Sequence, residues 1–434
     1  IAQGVNKVVL VSHLQQIALE EALVKLLHGV DVVIAGGSDT ILANEDDVLN
    51  PGDEAVAGYP VVTTNADGDT AVVVSTDGEY SYLGRLIVEF DDEGKVVAES
   101  LTNPDNGPVA STEENVAAAW DGDLDAAFAE GTKGDLVDDL VDAVEAVVVE
   151  KDGNILGQTD VYLDGDRADV RTQETNLGNL SADANLAAAR EVDDTVMVSI
   201  KNGGGIRAGI GEVVVDDATG QVSALPPQAN PVAGKEEGDI SQLDIENALR
   251  FNNTLSMQTL TAAQLKAVME HAVAASGNGA TPGQFAQVGG MTFAFNPERA
   301  AGDRIETLQI VNEAGEAVDT IVSGGEVQGD ASRPIRVVTL GFMQEGGDGY
   351  PFAEFAEADP DFANVVALDE NNVAAGDASF AAPGSEQDAL AEYLLDEHNV
   401  DNGGTAFGEA ETPASDDTRI VDLAVQTDIE SRPV

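Results

Sequence analysis

The 434-residue sequence contains no cysteine. That excludes a disulfide framework, a zinc-thiolate site and a cysteine nucleophile, and it leaves the redox compartment unreadable. Basic residues are scarce: 20 Lys and Arg stand against 80 Asp and Glu, a formal net charge of −60. Such a surface repels the phosphates of nucleic acids and of anionic lipids alike, so neither nucleic acid nor membrane is expected as a partner. The acids are dispersed along the chain, and Lys (8) is rarer than Arg (12). This reads as adaptation to concentrated salt, with a generally acidic secreted protein as the alternative. Long hydrophobic runs are missing too, since apolar-rich stretches such as 30–35 fall far short of the ~20 residues a membrane-crossing helix needs. Aromatics make up 4% of the chain and glycines number 45, which implies many turns and a core of small side chains.

What is present is enough for two or three domains with substantial cores: 43% of the residues are apolar and they recur throughout the chain. Residues 8–12 read as a fully buried strand, 14–27 as a helix stopped by Gly29, and 31–35 as a second buried strand. A strand, helix and strand of this size predict a βαβ unit with a site at the carboxyl ends of its strands. The start of the chain, entering a strand with no leader-like segment, reads as the interior of a longer protein. Between 59 and 97, short alternating runs split by Asp67-Gly68, Asp77-Gly78 and Glu93-Gly94 predict antiparallel hairpins. Helices are expected over 112–130 and 135–149, forming a connector, and then over 179–190, 261–275 and 386–395, with strands at 195–200 and 336–339.

Several constellations carry possible chemistry. His13, one of four histidines, follows the first strand and Asp39 follows the second; imidazole and carboxylate together suit zinc or manganese, but two ligands do not complete a site. His28 reads as a solvated charge at a helix end, and His271 and His398 as structural residues on helices. Two Asp-rich loops fail as EF-hands: in the loop from Asp121 the sixth and twelfth positions are Ala126 and Thr132, and in the loop from Asn65 the sixth is Thr70.

The stretch "SIKNGGGIRAGI" (199–210) meets the loose G-x-G-x-x-A pattern at Gly203, Gly205 and Ala208. A dinucleotide fingerprint then needs a helix, whereas strand-like residues follow, and no Lys-Ser or Lys-Thr closes a Walker loop. What survives is a glycine turn flanked by Asn202 and Arg207, donors suited to hydroxyl or phosphate oxygen, or else a plain turn. A second glycine loop ends in Gly346-Gly347-Asp348-Gly349 and carries Phe342, and a third loop carries Phe251. Asp348 in such a turn can accept two hydrogen bonds from a vicinal diol, and two phenylalanines can sandwich a flat ring if they are not simply core.

Four long stretches, "RTQETNLGNLSADANL" (171–186), "NGGGIRAGI" (202–210), "LRFNNTLSMQTLTAAQLKAVMEHAV" (249–273) and "GFMQEGGDGYPF" (341–352), closely resemble, in order, the motifs of the C-terminal domain of the 5'-nucleotidase family. Upstream, "VVLVSHLQQ", "VDVVIAGGSDTIL", "YPVVTTNADG" and "YSYLGRLIVEFDDEGKVV" resemble the second half of that family's metallophosphoesterase domain. The resemblance spans most of 5–100 and 155–425. It implies a fold of α/β and α+β class: the C-terminal part of a four-layer metallophosphoesterase α/β sandwich (1–108), connector helices (109–150) and a mixed α/β nucleoside-binding domain (151–434). It implies an exported hydrolase, periplasmic or extracellular, that cleaves nucleoside phosphates with water activated by two divalent ions, zinc or manganese. On this resemblance Phe251 and Phe342 clamp the base, Asp348 binds the ribose hydroxyls, Arg171, Asn202 and Arg207 bind ribose and phosphate, and His13 is a metal ligand.

The departures are equally specific. Gly36-Gly37-Ser38-Asp39 stands where the family has Gly-His-Ser-His or Gly-His-Ser-Gln, so Gly37 replaces one ligand histidine and Asp39 occupies the place of the second. Asp-x-His, Gly-Asp and Gly-Asn-His-Asp/Glu motifs are absent. No catalytic residue is therefore expected in this chain; an N-terminal segment of the same precursor is the expected partner and source of the remaining metal ligands. The alternatives are a non-catalytic nucleotide or nucleoside-binding module, a broader alkaline-phosphatase-like phosphomonoesterase, a cyclic-nucleotide phosphodiesterase, and an acidic structural protein.

Overall fold

The computed structural model describes residues 4–38, 40–78, 80–215 and 222–426, and the chain divides into two units, Ile1–Ala143 and Val144–Val434. In the first unit, β1 (Val9–Ser12), α1 (Ile17–Val24) and β2 (Val32–Ala35) form the expected βαβ unit, β1 and β2 running parallel. β3 (Val61–Thr64) and β4 (Thr70–Val74) make a hairpin across Asp67-Gly68 and complete a sheet of order β1-β2-β4-β3. β1 is not the fully buried strand that its apolar run predicts. Val8 and Leu10 pack into the core with α1, while Val9 and Val11 are 56% and 72% exposed. Ile34, level with Val11 in register, is exposed on the same side, so β1 at the sheet edge is packed on one face only, whereas β2 and β4 are covered on both, Val33 and Val73 on the α1 side and Val32 and Val72 on the other; an unbroken apolar run gives no hint of that difference.

β5 (Tyr82–Arg85) pairs with β6 (Gly107–Ala110), not with a neighbour inside 59–97. The helix expected over 112–130 is two, α2 (Glu113–Ala119) and α3 (Leu124–Ala127). Asp121 and Gly122 take φ of 56° and 89°, which no α-helix accommodates, and the Asp123 side chain then caps α3 by accepting from the Ala126 N–H. α4 (Lys133–Asp152) follows, and the division between the units falls within it.

The second unit runs β7 (Ile155–Gln158), α5 (Asn176–Val192), β8 (Val196–Asn202), β9 (Glu212–Val215), β10 (Val222–Leu225), β11 (Asp239–Ser241), α6 (Gln242–Ala248), β12 (Leu255–Thr261) and α7 (Ala262–Ala272). It continues through β13 (Ala286–Gly289), β14 (Met291–Phe295), β15 (Ile305–Val311), β16 (Ala317–Ser323), β17 (Glu326–Val327), β18 (Pro334–Leu340) and α8 (Gly341–Gln344). It ends with α9 (Phe352–Ala358), α10 (Pro360–Ala363), β19 (Val366–Ala367), α11 (Glu386–Glu397) and β20 (Ile420–Asp422). Two five-stranded sheets result, β13-β8-β18-β12-β19 and β17-β16-β15-β14-β20. They share a core of Val198, Ile200, Leu260, Leu265, Phe293, Phe295 and Val337.

Local sequence sets the strand-to-helix corners. Ser241 and Thr261 end their strands and at once cap the next helix, each in a reciprocal box with Asp244 or Gln264. Among the described residues no helix is long and apolar enough to cross a membrane.

Candidate functional site

The sheet topology explains why distant loops meet. β8 and β18 are parallel neighbours, so the glycine turns that follow them leave the sheet at the same end. β12 is antiparallel to β18 and β13 is antiparallel to β8, so the segments just before Leu255 and Ala286 lie at that end as well. Backbone bonds lock them in two pairs: the Gly341 N–H donates to the Thr254 carbonyl at 2.7 Å, and Gly203 donates to Phe285 at 2.6 Å and Gly204 to Gly283 at 2.9 Å.

Asn202 and Asp348 therefore touch, Nδ2 donating to Oδ2 at 2.7 Å. The Arg207 guanidinium lies 5.7 Å from the centroid of the Phe251 ring, a cation-π arrangement. Burial, with Arg167 and Arg207 close by, pushes the pKa of Arg171 below its usual range, and Asp348 opposes the shift. Arg171 is buried, and its Nε has no hydrogen-bond partner among the described residues; the same is true of Asn202 Oδ1. Buried polar atoms left unpaired are costly, so two of them beside one carboxylate mark a place where a polar ligand would be stabilised. Neither Phe251 nor Phe342 is a core residue: they are 61% and 44% exposed.

The glycines serve the chain itself. A Cβ on Gly203 would fall 1.8 Å from the Val170 carbonyl oxygen, and one on Gly204 2.8 Å from that of Gly283. Residues 203–205 make a single 3-10 turn, and the strand β9 follows where a dinucleotide site needs a helix.

Four residues in or next to these loops had no local signal. His271, at the end of α7, places Nε2 2.9 Å from the Asp348 carbonyl oxygen. Arg167 adds positive charge next to Arg171. Lys201 and Glu386, both fully buried, pair at 3.2 Å, and the second carboxylate oxygen accepts from the Asn253 backbone and side chain. Of the other histidines, His28 is exposed and pairs with Asp67 at 2.6 Å, and His398 bonds the Thr405 carbonyl between Tyr393 and Phe407.

In the first unit, Glu20 is buried and its Oε1 accepts from the Ser12 hydroxyl and the Leu14 N–H, holding the turn that carries His13. The His13 ring lies over Gly37, where a Cβ would come within 2.6 Å of it. Asp39 lies outside the described residues. Among the described residues no group of three or more His, Asp or Glu side chains is placed to hold a metal ion. His13 alone does not fit a two-metal centre, and no hydrolytic step follows from it.

A separate acidic cavity of about 350 Å³ in the second unit is lined by Glu174, Asn179, Glu411, Thr412, Asp416 and Arg419, among others. Glu174 Oε2 accepts from the backbone N–H groups of Thr418, Arg419 and Ile420, and Glu411 accepts from Asn176 at the start of α5. Burial, reinforced by Asp164, Asp417 and Glu174, pushes the Glu411 pKa up to about 8, and burial pushes that of Asp417 to about 7. An acid with a raised folded-state pKa contributes stability that is fully present below the unfolded value of ~4.3 and is lost as pH rises through the folded one. Melting temperature is therefore expected to fall between pH 5 and 8, and Glu411→Gln should flatten that fall and exceed the parent at pH 8 in a thermal-shift series.

Residues 155–355 match the family model described as 5'-nucleotidase, C-terminal domain. The chain is similar to the trifunctional nucleotide phosphoesterase protein YfkN of Bacillus subtilis, 31% identical over 82% of this chain and 19% of that protein. It is also similar to the 5'-nucleotidase of Bos taurus, 29% identical over 80% of this chain and 52% of that one. It thus spans about half the length of the vertebrate relatives it matches. A solved 5'-nucleotidase precursor from Thermus thermophilus superposes over 97% of this chain and 64% of that chain, with a TM-score of 0.52 at 24% identity, which shows the shared mixed α/β fold. The domain match and the relatives support the 5'-nucleotidase family for this chain, with that family's C-terminal domain over residues 155–355.

Proposed function

We propose that the loop end of the β8-β18 sheet binds the nucleoside part of a nucleotide, and that the chain is the substrate-holding part of a 5'-nucleotidase-like phosphoric ester hydrolase. The convergence carries this reading. Among the described residues Arg171 Nε and Asn202 Oδ1 are buried without a partner beside Asp348, and Phe251, on the loop before β12, and Phe342, on α8 just after β18, are exposed. Arg171 and Arg207 suit ribose and phosphate oxygens, the carboxylate of Asp348 suits a vicinal diol, and the rings suit a flat base. Relatives named as 5'-nucleotidases and as a nucleotide phosphoesterase support the substrate class.

Calorimetric titration of the whole chain with AMP and adenosine tests it. Both should bind, and Arg207→Ala should weaken AMP several-fold without lowering the melting temperature. Absence of heat with either ligand would sink the reading.

Hydrolysis would draw on two divalent ions, zinc or manganese, with His13 and Asp39 supplying only part of their ligands and an N-terminal segment of the same precursor the rest. A second reading, a nucleoside-binding module without catalysis, is favoured by Gly37 standing where the family has a ligand histidine. Phosphate release from AMP with added Mn²⁺ or Zn²⁺ by the full-length gene product separates the two. A periplasmic or extracellular location and adaptation to salt complete the proposal. The charge of −60 is self-repulsive, so raising KCl from about 0.1 to 2 M, which shortens the screening length severalfold, should raise the melting temperature.

A further inference from the structure

We infer that His271 is a positioning residue for the sugar end of this site, holding Asp348 through its main chain; this rests on the nucleoside reading. Asp348 is the one non-glycine in the run Gly346–Gly349, and it takes a left-handed backbone, φ 52°. An L-residue adopts that conformation at a cost, so something nearby has to hold it.

His271 does so from outside the loop. Its Nε2 lies 2.9 Å from the Asp348 carbonyl oxygen, an atom that can only accept, so Nε2 carries the proton. The Asp348 side chain points elsewhere, to Asn202 Nδ2 at 2.7 Å, so the histidine fixes the backbone while the carboxylate stays turned toward the site.

His271 is fixed in turn by a closed circuit. Gln284 Nε2 donates to the His271 carbonyl, the Tyr350 hydroxyl donates to the Gln284 carbonyl, and the Tyr350 ring meets the His271 ring edge-on at 4.8 Å. Tyr350 is buried and stacks on Phe352 at 5.8 Å. Gly349 has φ 79°, and a Cβ there would come 3.1 Å from His271 Cε1, so the loop lies close against the imidazole. Gly283, adjoining Gln284, accepts from the Gly204 N–H. The imidazole thus joins the end of α7 to the loop of Asp348, while the His271 carbonyl holds the loop of Gln284, whose Gly283 in turn meets the turn after Asn202.

A purely structural residue would affect all ligands equally, whereas one that acts through Asp348 affects only ligands with the hydroxyls Asp348 meets. The test compares adenosine with 2',3'-dideoxyadenosine by calorimetry on the full chain and on two variants. His271→Phe keeps the ring against Tyr350 but has no donor; His271→Gln keeps a donor at the same reach but has no ring. The parent should prefer adenosine. His271→Phe should lose about tenfold for adenosine, the scale of one well-placed hydrogen bond, with dideoxyadenosine within about twofold of the parent. His271→Gln should retain the preference. Equal weakening of both ligands, unchanged affinity for both, or a Gln variant that behaves like the Phe variant would overturn the inference while leaving the nucleoside reading intact. A parent that binds neither ligand would overturn that reading, and this inference with it.

Discussion

Glu386→Ala is expected to lower the unfolding free energy by about 3–5 kcal/mol, the usual cost of stranding one member of a buried ion pair. Glu386 and Lys201 are both fully buried and 3.2 Å apart. The other carboxylate oxygen accepts from the Asn253 N–H at 3.0 Å and from Asn253 Nδ2 at 2.9 Å. Truncation leaves a fully buried ammonium without its counter-charge and two half-buried N–H donors without their acceptor. Replacing the pair together, Lys201→Met with Glu386→Leu, removes the orphaned charge and should recover much of the loss, leaving the Asn253 donors to account for the remainder. Urea unfolding of the three proteins decides it. A loss below about 1 kcal/mol for the single variant would mean that the cavity admits water and the pair is not dry.

Phe342→Ala is expected to weaken nucleotide binding by about 5- to 150-fold, corresponding to the ~1–3 kcal/mol that base stacking on an aromatic contributes. The ring is 44% exposed, so its removal opens no core cavity and should leave the melting temperature nearly unchanged. Its orientation is set by Gly347, whose position leaves room for no Cβ: one would lie 2.5 Å from the ring. Gly347→Ala should therefore displace the ring and reduce binding in the same direction. Unaltered AMP affinity in Phe342→Ala would leave the ring as surface only and would remove the aromatic half of the proposed site.

Part of the second unit was legible along the chain because its signals are local. The helices expected over 179–190, 261–275 and 386–395 and the strands over 195–200 and 336–339 all form near those bounds, and the strand-like residues after Arg207 correctly exclude a dinucleotide fingerprint; α6, capped by Ser241 with Asp244, was not expected. The errors in the first unit have local causes of a different kind. The run 8–12 is apolar throughout, so period cannot show that only one face is packed, and the positive φ of Asp121 overrides the helical composition around it. The site divides in the same way. Asn202, Arg207, Phe251, Phe342 and Asp348 stand in or beside glycine and aromatic stretches that can be picked out by eye, although the structure puts Asn202 at the end of β8 and Phe342 on α8. His271 sits inside an ordinary amphipathic helix, and Lys201 inside an ordinary buried strand.

By itself, the sequence determined much of the alternation of strands and helices, the absence of thiol chemistry and a strongly negative charge, because each depends on composition or on residues a few positions apart. Only the tertiary structure decided which loops share an end of the sheet. Asn202 reaches Asp348 across 146 positions, Lys201 reaches Glu386 across 185 and His271 reaches Asp348 across 77. The first of these follows from β8 and β18 lying parallel, and the other two from how α11 and α7 are set against that sheet, arrangements that no periodicity within one segment encodes. The tertiary structure also reassigned the glycines of "NGGGIRAGI": Gly203 and Gly204 are there because the backbone of Val170 and Gly283 leaves no room for a side chain.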